Sequence, residues 1–238
     1  MGAFPFDDPL CPAGGIALNT PDSSSLIDPT FLFRFEVPLH RRSCDWSSSG
    51  LELPPDTRVA SFAVLSGQTR FAEVRMAWEA GGIGFVVDVA GKRSQPWCRS
   101  SRPEDSDGFH LWVDSRCSPG IHRATQYCHR FLFMPSGGGS DLSRPLAGIL
   151  PINRARQNPK PPPAGSIRVF SDVGPEGYRL SGRIAAAAIT GFDPSQFSKI
   201  GLFFAVIDRE LGWQTLCLSQ AYPVAEDPSL WAEAVLAE

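Results

Sequence analysis

Asp107–Gly139 reads DGFHLWVDSRCSPGIHRATQYCHRFLFMPSGGG. It contains two runs in which side chains alternate with the two-residue period of a β-strand. In the first, Phe109, Leu111 and Val113 share one face, and His110, Trp112 and Asp114 share the other. In the second, Tyr127, His129, Phe131 and Phe133 fall together. One face of each run is built for a core. The other face of the first run carries the kinds of side chain that recognise ligands.

The same pattern extends in both directions. Phe31, Phe33, Phe35 and Val37 alternate and read as a strand ended by Pro38. Val74, Met76 and Trp78, a Glu79-Ala80-Gly81-Gly82 turn, and then Ile83, Phe85, Val87 and Val89 read as a β-hairpin. Short strands are expected at Ile167–Phe170 and at Tyr178–Ile184. Ile200–Ile207 (IGLFFAVI) is apolar on both faces, the mark of a buried central strand, and Trp213–Leu218 returns as its partner. Asp227-Pro228-Ser229 has the chemistry of a helix start, with a helix expected over Leu230–Leu236.

These runs predict an all-β fold, an antiparallel two-sheet β-sandwich with a short C-terminal helix. Residues 1–30 read as an extended N-terminal arm and 31–238 as a single domain. Residues 136–166, with a Gly triplet and Pro161-Pro162-Pro163, read as an irregular insertion within that domain. The composition agrees: of 238 residues, 42% are hydrophobic, enough for a core, and Gly and Pro number 22 each, enough for many turns.

A net charge of -3 gives no basic footprint for nucleic acid. No apolar stretch reaches the ~18 residues of a membrane-spanning helix, and Met1–Gly15 lacks the basic and apolar regions of a signal peptide. The expectation is a soluble cytoplasmic protein. The six cysteines form no C-x-x-C pair and read as reduced thiols, with no metal or cofactor signature. There is no G-x-S-x-G, H-E-x-x-H, P-loop or G-x-G-x-x-G, so no enzyme is expected. Glu79 and Glu210 are the one pair of loop carboxylates that suggests a glycosidase.

Three segments resemble the carbohydrate-binding modules of family nine and the related DOMON-like sandwiches. Val74–Val89 is similar to the family hairpin, and Asp107–Asp114 is similar to a strand that opens and closes on Asp. Tyr178–Asp208 is similar to the closing unit. The resemblance spans roughly Leu53–Trp231. It implies a non-catalytic binding domain that takes a saccharide or similar polar ligand. Sugars need flat aromatic faces and planar polar groups. Trp112, His110, Asp114 and Arg116 supply these on and beside one strand. Trp97 in the preceding loop is expected as an opposing wall, and His129 as a further contact. The alternative is a structural or protein-interaction domain that keeps the fold without a sugar site.

Overall fold

The structure is a computed structural model that describes residues 29–238; the arm expected over residues 1–30 lies almost wholly outside the described residues. Eleven strands form: β1 (Glu36–Arg41), β2 (Ala72–Glu79), β3 (Gly82–Ala90), β4 (Gly108–Asp114), β5 (Cys128–Gly138), β6 (Arg144–Leu150), β7 (Ile167–Val173), β8 (Gly177–Ala185), β9 (Lys199–Asp208), β10 (Gly212–Thr215) and β11 (Ala232–Ala237). The only helical pieces among the described residues are 3-10 turns, none longer than five residues.

The strands hydrogen-bond in one continuous path, β6-β5-β4-β9-β11-β1-β2-β3-β8-β7, with β10 paired to β9 off that path. The sheet curls back on itself. Phe85 of β3 packs against Phe109 of β4 and Phe133 of β5, with ring centroids 4.7 and 4.5 Å apart, although these strands are far apart along the path. The end strands β6 and β7 also come within 8 Å of each other. Two separate sheets were expected; a single, nearly closed sheet is found.

The join between its halves explains the difference. β1 runs parallel to both β11 and β2, so the sheet is not purely antiparallel. Pro38 does not end β1 but lies within it. It tolerates that place because β1 pairs with β2 only at His40 and Arg41, which leaves no partner on that side for a missing N–H.

The expected C-terminal helix is also a strand. Asp227 does cap a turn, accepting from the Ser229 N–H, but the turn is one 3-10 loop over Pro228–Leu230. The chain then extends into β11, where Ala232, Ala234 and Leu236 point inward between β9 and β1. The two-residue alternation of small and apolar side chains outweighs the capping signal once the sheet offers two open edges. The region read as an irregular insertion holds a strand as well: β5 runs on to Gly138 and β6 occupies Arg144–Leu150, so the irregular parts are the turn 139–143 and residues 151–166. Phe31–Leu32 belongs to a 3-10 turn rather than a strand.

The β2–β3 hairpin forms as expected, with Glu79 opposite Gly82. Gly82 is required there. It has φ +138°, and a Cβ at this position would meet the Ile184 carbonyl oxygen at 2.0 Å. The main core takes Phe109, Leu111 and Val113 from β4, Phe131 and Phe133 from β5, and Leu202, Phe204 and Val206 from β9. Two smaller clusters lie where loops cover the outer face: Cys44, Leu51 and Leu53 over Ala77 and Val86, and Cys98 over Leu132 and Met134.

Candidate functional site

β4 and β9 run antiparallel with Gly108 opposite Ile207. The residues just beyond that pair, Asp107 and Asp208, are thereby brought side by side at one end of the sheet. Lys92, just after β3, reaches both: its Nζ lies 3.1 Å from Asp107 Oδ2 and 2.6 Å from Asp208 Oδ2. All three side chains are at most 2% exposed. Burial alone would push the Lys92 ammonium down, but its hydrogen bonds to Asp208 and Asp107 outweigh this and hold its pKa above the usual lysine value. Burial raises the Asp107 carboxyl, offset in part by the N–H groups of Arg209 and Trp97. The Tyr178 hydroxyl, fully buried beside the same two carboxylates, makes no hydrogen bond among the described residues, and its pKa lies well above normal.

This buried triad organises the surface above it. Asp107 Oδ2 accepts from the Trp97 N–H at 3.0 Å, and Oδ1 accepts from the Arg209 N–H at 2.9 Å. Asp208 Oδ1 accepts from the N–H groups of Glu210 and Leu211, shaping the short loop that leads through Gly212 (φ +95°) into β10. Ser106, buried, ties down the loop ahead of β4 by accepting from the Arg99 N–H and donating to the Arg102 carbonyl. Between this loop and the β9–β10 hairpin opens a cleft of about 230 Å³. Trp97 and Trp213, both half-buried, line it together with Ile207, Arg102, Glu104, Asp105 and Arg209. The Arg209 guanidinium lies 4.2 Å from the Trp97 ring centroid, within cation–π range. Glu104 is held by Arg130 at 2.8 Å.

Of the residues expected to form a site around Trp112, only Trp97 lines this cleft. Trp112 itself is 1% exposed. Its ring meets the edge of Phe203, stacks near His110, and lies under the Arg130 guanidinium at 5.1 Å. No sugar ring reaches a side chain buried that completely, so the expectation of an open platform at Trp112 is corrected: the second face of β4 is covered as fully as the first. His110 is buried beside Trp112, and its pKa is pushed down to about 3 by burial and by Arg130. Asp114 caps a turn, its two oxygens accepting from the N–H groups of Arg116 and Ser118. The Arg116 guanidinium is packed between Tyr127 and Phe197.

His129 is on the opposite face from His110, with Phe131, and is likewise buried. Its Nδ1–H donates to the Tyr127 carbonyl and its Nε2 accepts from the Thr190 N–H, and burial lowers its pKa to about 4. The histidines therefore do not converge. Among the described residues no group of three or more His, Cys, Asp or Glu side chains is placed to hold a metal ion. The five described cysteines are free thiols.

The chemistry of known hydrolytic sites is not assembled by the residues that suggest it. Glu79 is held by Arg183, and Glu210 by Arg93 and Ser94, whose hydrogen bonds lower its pKa to about 2, the wrong direction for a general acid. Ser229, His122 and Asp227 lie together, but the Ser229 Oγ and the Asp227 Oδ2 both sit at His122 Nδ1, at 3.1 and 3.0 Å. A proton relay needs them on opposite ring nitrogens.

The residues that sequence reasoning passed over are Trp213, Arg102, Arg209 and the Lys92 triad. A signal for the triad was present. Asp107 and Asp208 stand at the ends of two of the segments that carry the family resemblance, and antiparallel pairing of those strands puts both carboxylates at one edge.

No protein-family model matches the chain, and no curated relative matches it in sequence. Solved structures do match in fold. A carbohydrate binding module of family 9 from Caldicellulosiruptor kristjanssonii, in complex with cellotriose, superposes with a TM-score of 0.58 at 14% identity, covering 85% of this chain and 93% of the module. A structure of such a module from the same organism in complex with glucose gives a TM-score of 0.56 at 13% identity, over 84% and 94%. The chain thus has a fold similar to that of family-nine carbohydrate-binding modules. No helix among the described residues is long and apolar enough to cross a membrane.

Proposed function

We propose that this domain is a non-catalytic saccharide-binding module and that its site is the cleft between Trp97 and Trp213, not the strand face at Trp112. The observation that carries the reading is the pair of half-buried tryptophans on one cleft with guanidinium and carboxylate groups at its rim. Indole faces accept the C–H surface of a sugar, and the rim groups accept its hydroxyls. The buried triad beneath holds the Trp97 and Arg209 backbones in place, so little ordering is left to be done on binding. The structural neighbours solved in complex with cellotriose and glucose agree with this class of ligand.

A glycan-array screen followed by calorimetry tests it. Trp213→Ala is expected to weaken any hit by about 2 kcal/mol, roughly thirtyfold, the loss typical of an aromatic anchor. Absence of any saccharide hit, or a hit indifferent to Trp213→Ala, would reject the assignment.

A second reading, protein interaction, draws on Phe31, Leu32 and Phe33, which are 47%, 72% and 61% exposed beside a larger cleft of about 690 Å³. Its test is sedimentation over a range of concentrations. Association that Phe33→Ser abolishes would support a second copy of the chain as the partner, and a monomer throughout would remove self-association.

A further inference from the structure

The charges around the cleft do not balance. Glu104 is neutralised by Arg130, whereas the single ammonium of Lys92 is shared by Asp107 and Asp208, so the floor keeps one formal negative charge. Arg102 and Arg209 also line the cleft, and among the described residues neither guanidinium has a carboxylate within ion-pair distance. Asp105 is the one lining carboxylate without a cation. A third guanidinium, that of Arg99, lies 5.7 Å from the Trp97 ring, at the margin. Arg99 has no carboxylate within ion-pair distance among the described residues either, so three unpaired cations against Asp105 and the one charge of the floor leave the cleft net positive by one.

The placement of the cations adds to their number. Arg209 is fixed at both ends: its backbone N–H is held by the buried Asp107, and its guanidinium lies against Trp97. A planar fork immobilised in this way gives up little side-chain entropy when it binds, and its geometry matches two oxygens of one anionic group. A neutral sugar would use these donors as hydroxyl partners but would leave the excess charge uncompensated. A stacked sugar that carries an acid at its ring edge would satisfy both the indole and the fork.

We infer that the preferred ligand of this cleft is an acidic saccharide, with Trp213 taking the sugar face and Arg102 and Arg209 taking its anionic group. This rests on the cleft being the saccharide site, as proposed above. A carboxylate and a sulfate share the required chemistry, so the test carries both.

The experiment measures binding of the full chain to four ligands by calorimetry: a trisaccharide of uronic acids, its carboxyl-reduced neutral counterpart with the same linkages, a sulfated trisaccharide, and cellotriose. The variants are Arg102→Gln with Arg209→Gln, and Trp213→Ala. Both arginines are exposed, and a thermal melt of each variant confirms that it folds.

The expected result is binding of the uronate or the sulfated ligand about tenfold or more tighter than the neutral ones, the strength of one charge-assisted hydrogen bond. That advantage falls in the double Gln variant and with added salt. Which acid wins identifies its source. Equal affinity for acidic and neutral ligands, lost in Trp213→Ala, would overturn the acid preference while leaving the cleft assignment standing. No binding of any ligand would overturn both. Acid binding unchanged in the double Gln variant would place the anion elsewhere and also overturn the inference.

Discussion

Replacing Lys92 with Met tests the account of the buried triad. The change removes the only cation that, among the described residues, pairs with two carboxylates whose oxygens lie 3.1 and 2.6 Å from its Nζ, all of them out of water. Breaking a buried pair by deleting one partner generally costs about 3–5 kcal/mol. The variant can relieve the repulsion by protonating one carboxyl. From an ordinary reference near 3.9 this costs about 1.4 kcal/mol per pH unit, or about 4 kcal/mol at pH 7. The two routes agree on a loss of about 4 kcal/mol, a large part of the roughly 5–15 kcal/mol of a typical domain. At pH 5 the same relief costs only about 1.5 kcal/mol. The deficit against wild type should therefore shrink by about 2–3 kcal/mol on acidification, because a carboxyl whose folded pKa is raised adds stability as pH falls through it. Urea unfolding at pH 7 and pH 5, followed by the fluorescence of the six tryptophans, measures both numbers. A loss below about 1 kcal/mol at pH 7, or a deficit that does not narrow at pH 5, would refute the claim that the triad is dry and coupled.

Three further outcomes follow from other parts of the fold. His110 and His129, with folded pKa values of about 3 and about 4, bind protons only when unfolded, so their contribution is full above about pH 6.5 and falls as pH drops toward those values. His129→Gln should flatten the loss of stability between pH 6 and 5 by about 1.4 kcal/mol per pH unit, and an unchanged slope would show that His129 is not buried neutral. Trp112→Ala should cost about 3–5 kcal/mol in chemical denaturation, whereas Trp213→Ala should cost far less; the reverse order would mean that Trp112 is the exposed platform after all. Gly82→Ala puts a Cβ against the Ile184 carbonyl and should lower stability by more than about 1 kcal/mol, visible as a lower melting temperature. A melt matching wild type would show that the β2–β3 turn can relax.

The strands were legible because period-two alternation is local. β3, β4 and β9 appear in the sequence almost at their final bounds. What alternation does not carry is which strands meet. The segment 232–237 has the composition of a short helix, and only the open edges of β9 and β1 make it a strand. For the same reason a single curled sheet looks, in sequence, like two. Of the residues expected at the site, Trp97 does line the candidate cleft, but the strand face expected to be open at Trp112 is buried. Trp112 stands among polar neighbours and so reads as exposed, yet Phe203, His110 and Arg130 close over it. Trp213 was taken only as part of a returning strand. Its partner Trp97 lies more than a hundred residues away, and only the pairing of β4 with β9, which puts Asp107 beside Asp208, brings the two together.

The place of β1 and β11 gives synthesis of this chain a late decision point. The two halves of the sheet are joined through a parallel pair contributed by opposite ends of the described chain, Glu36 opposite Glu233 through His40 opposite Ala237. Until residues 232–237 have left the ribosome, β9 lacks one neighbour and β1 lacks its main one. A nascent chain halted earlier carries two open strand edges flanked by apolar side chains, the kind of surface that recruits another strand. The native arrangement is therefore reached only once residues 232–237 have emerged, through contacts of very long sequence separation, and folding should be slow for a domain of this size. Any device that stalls translation before residues 232–237 emerge would hold the domain in its most aggregation-prone form.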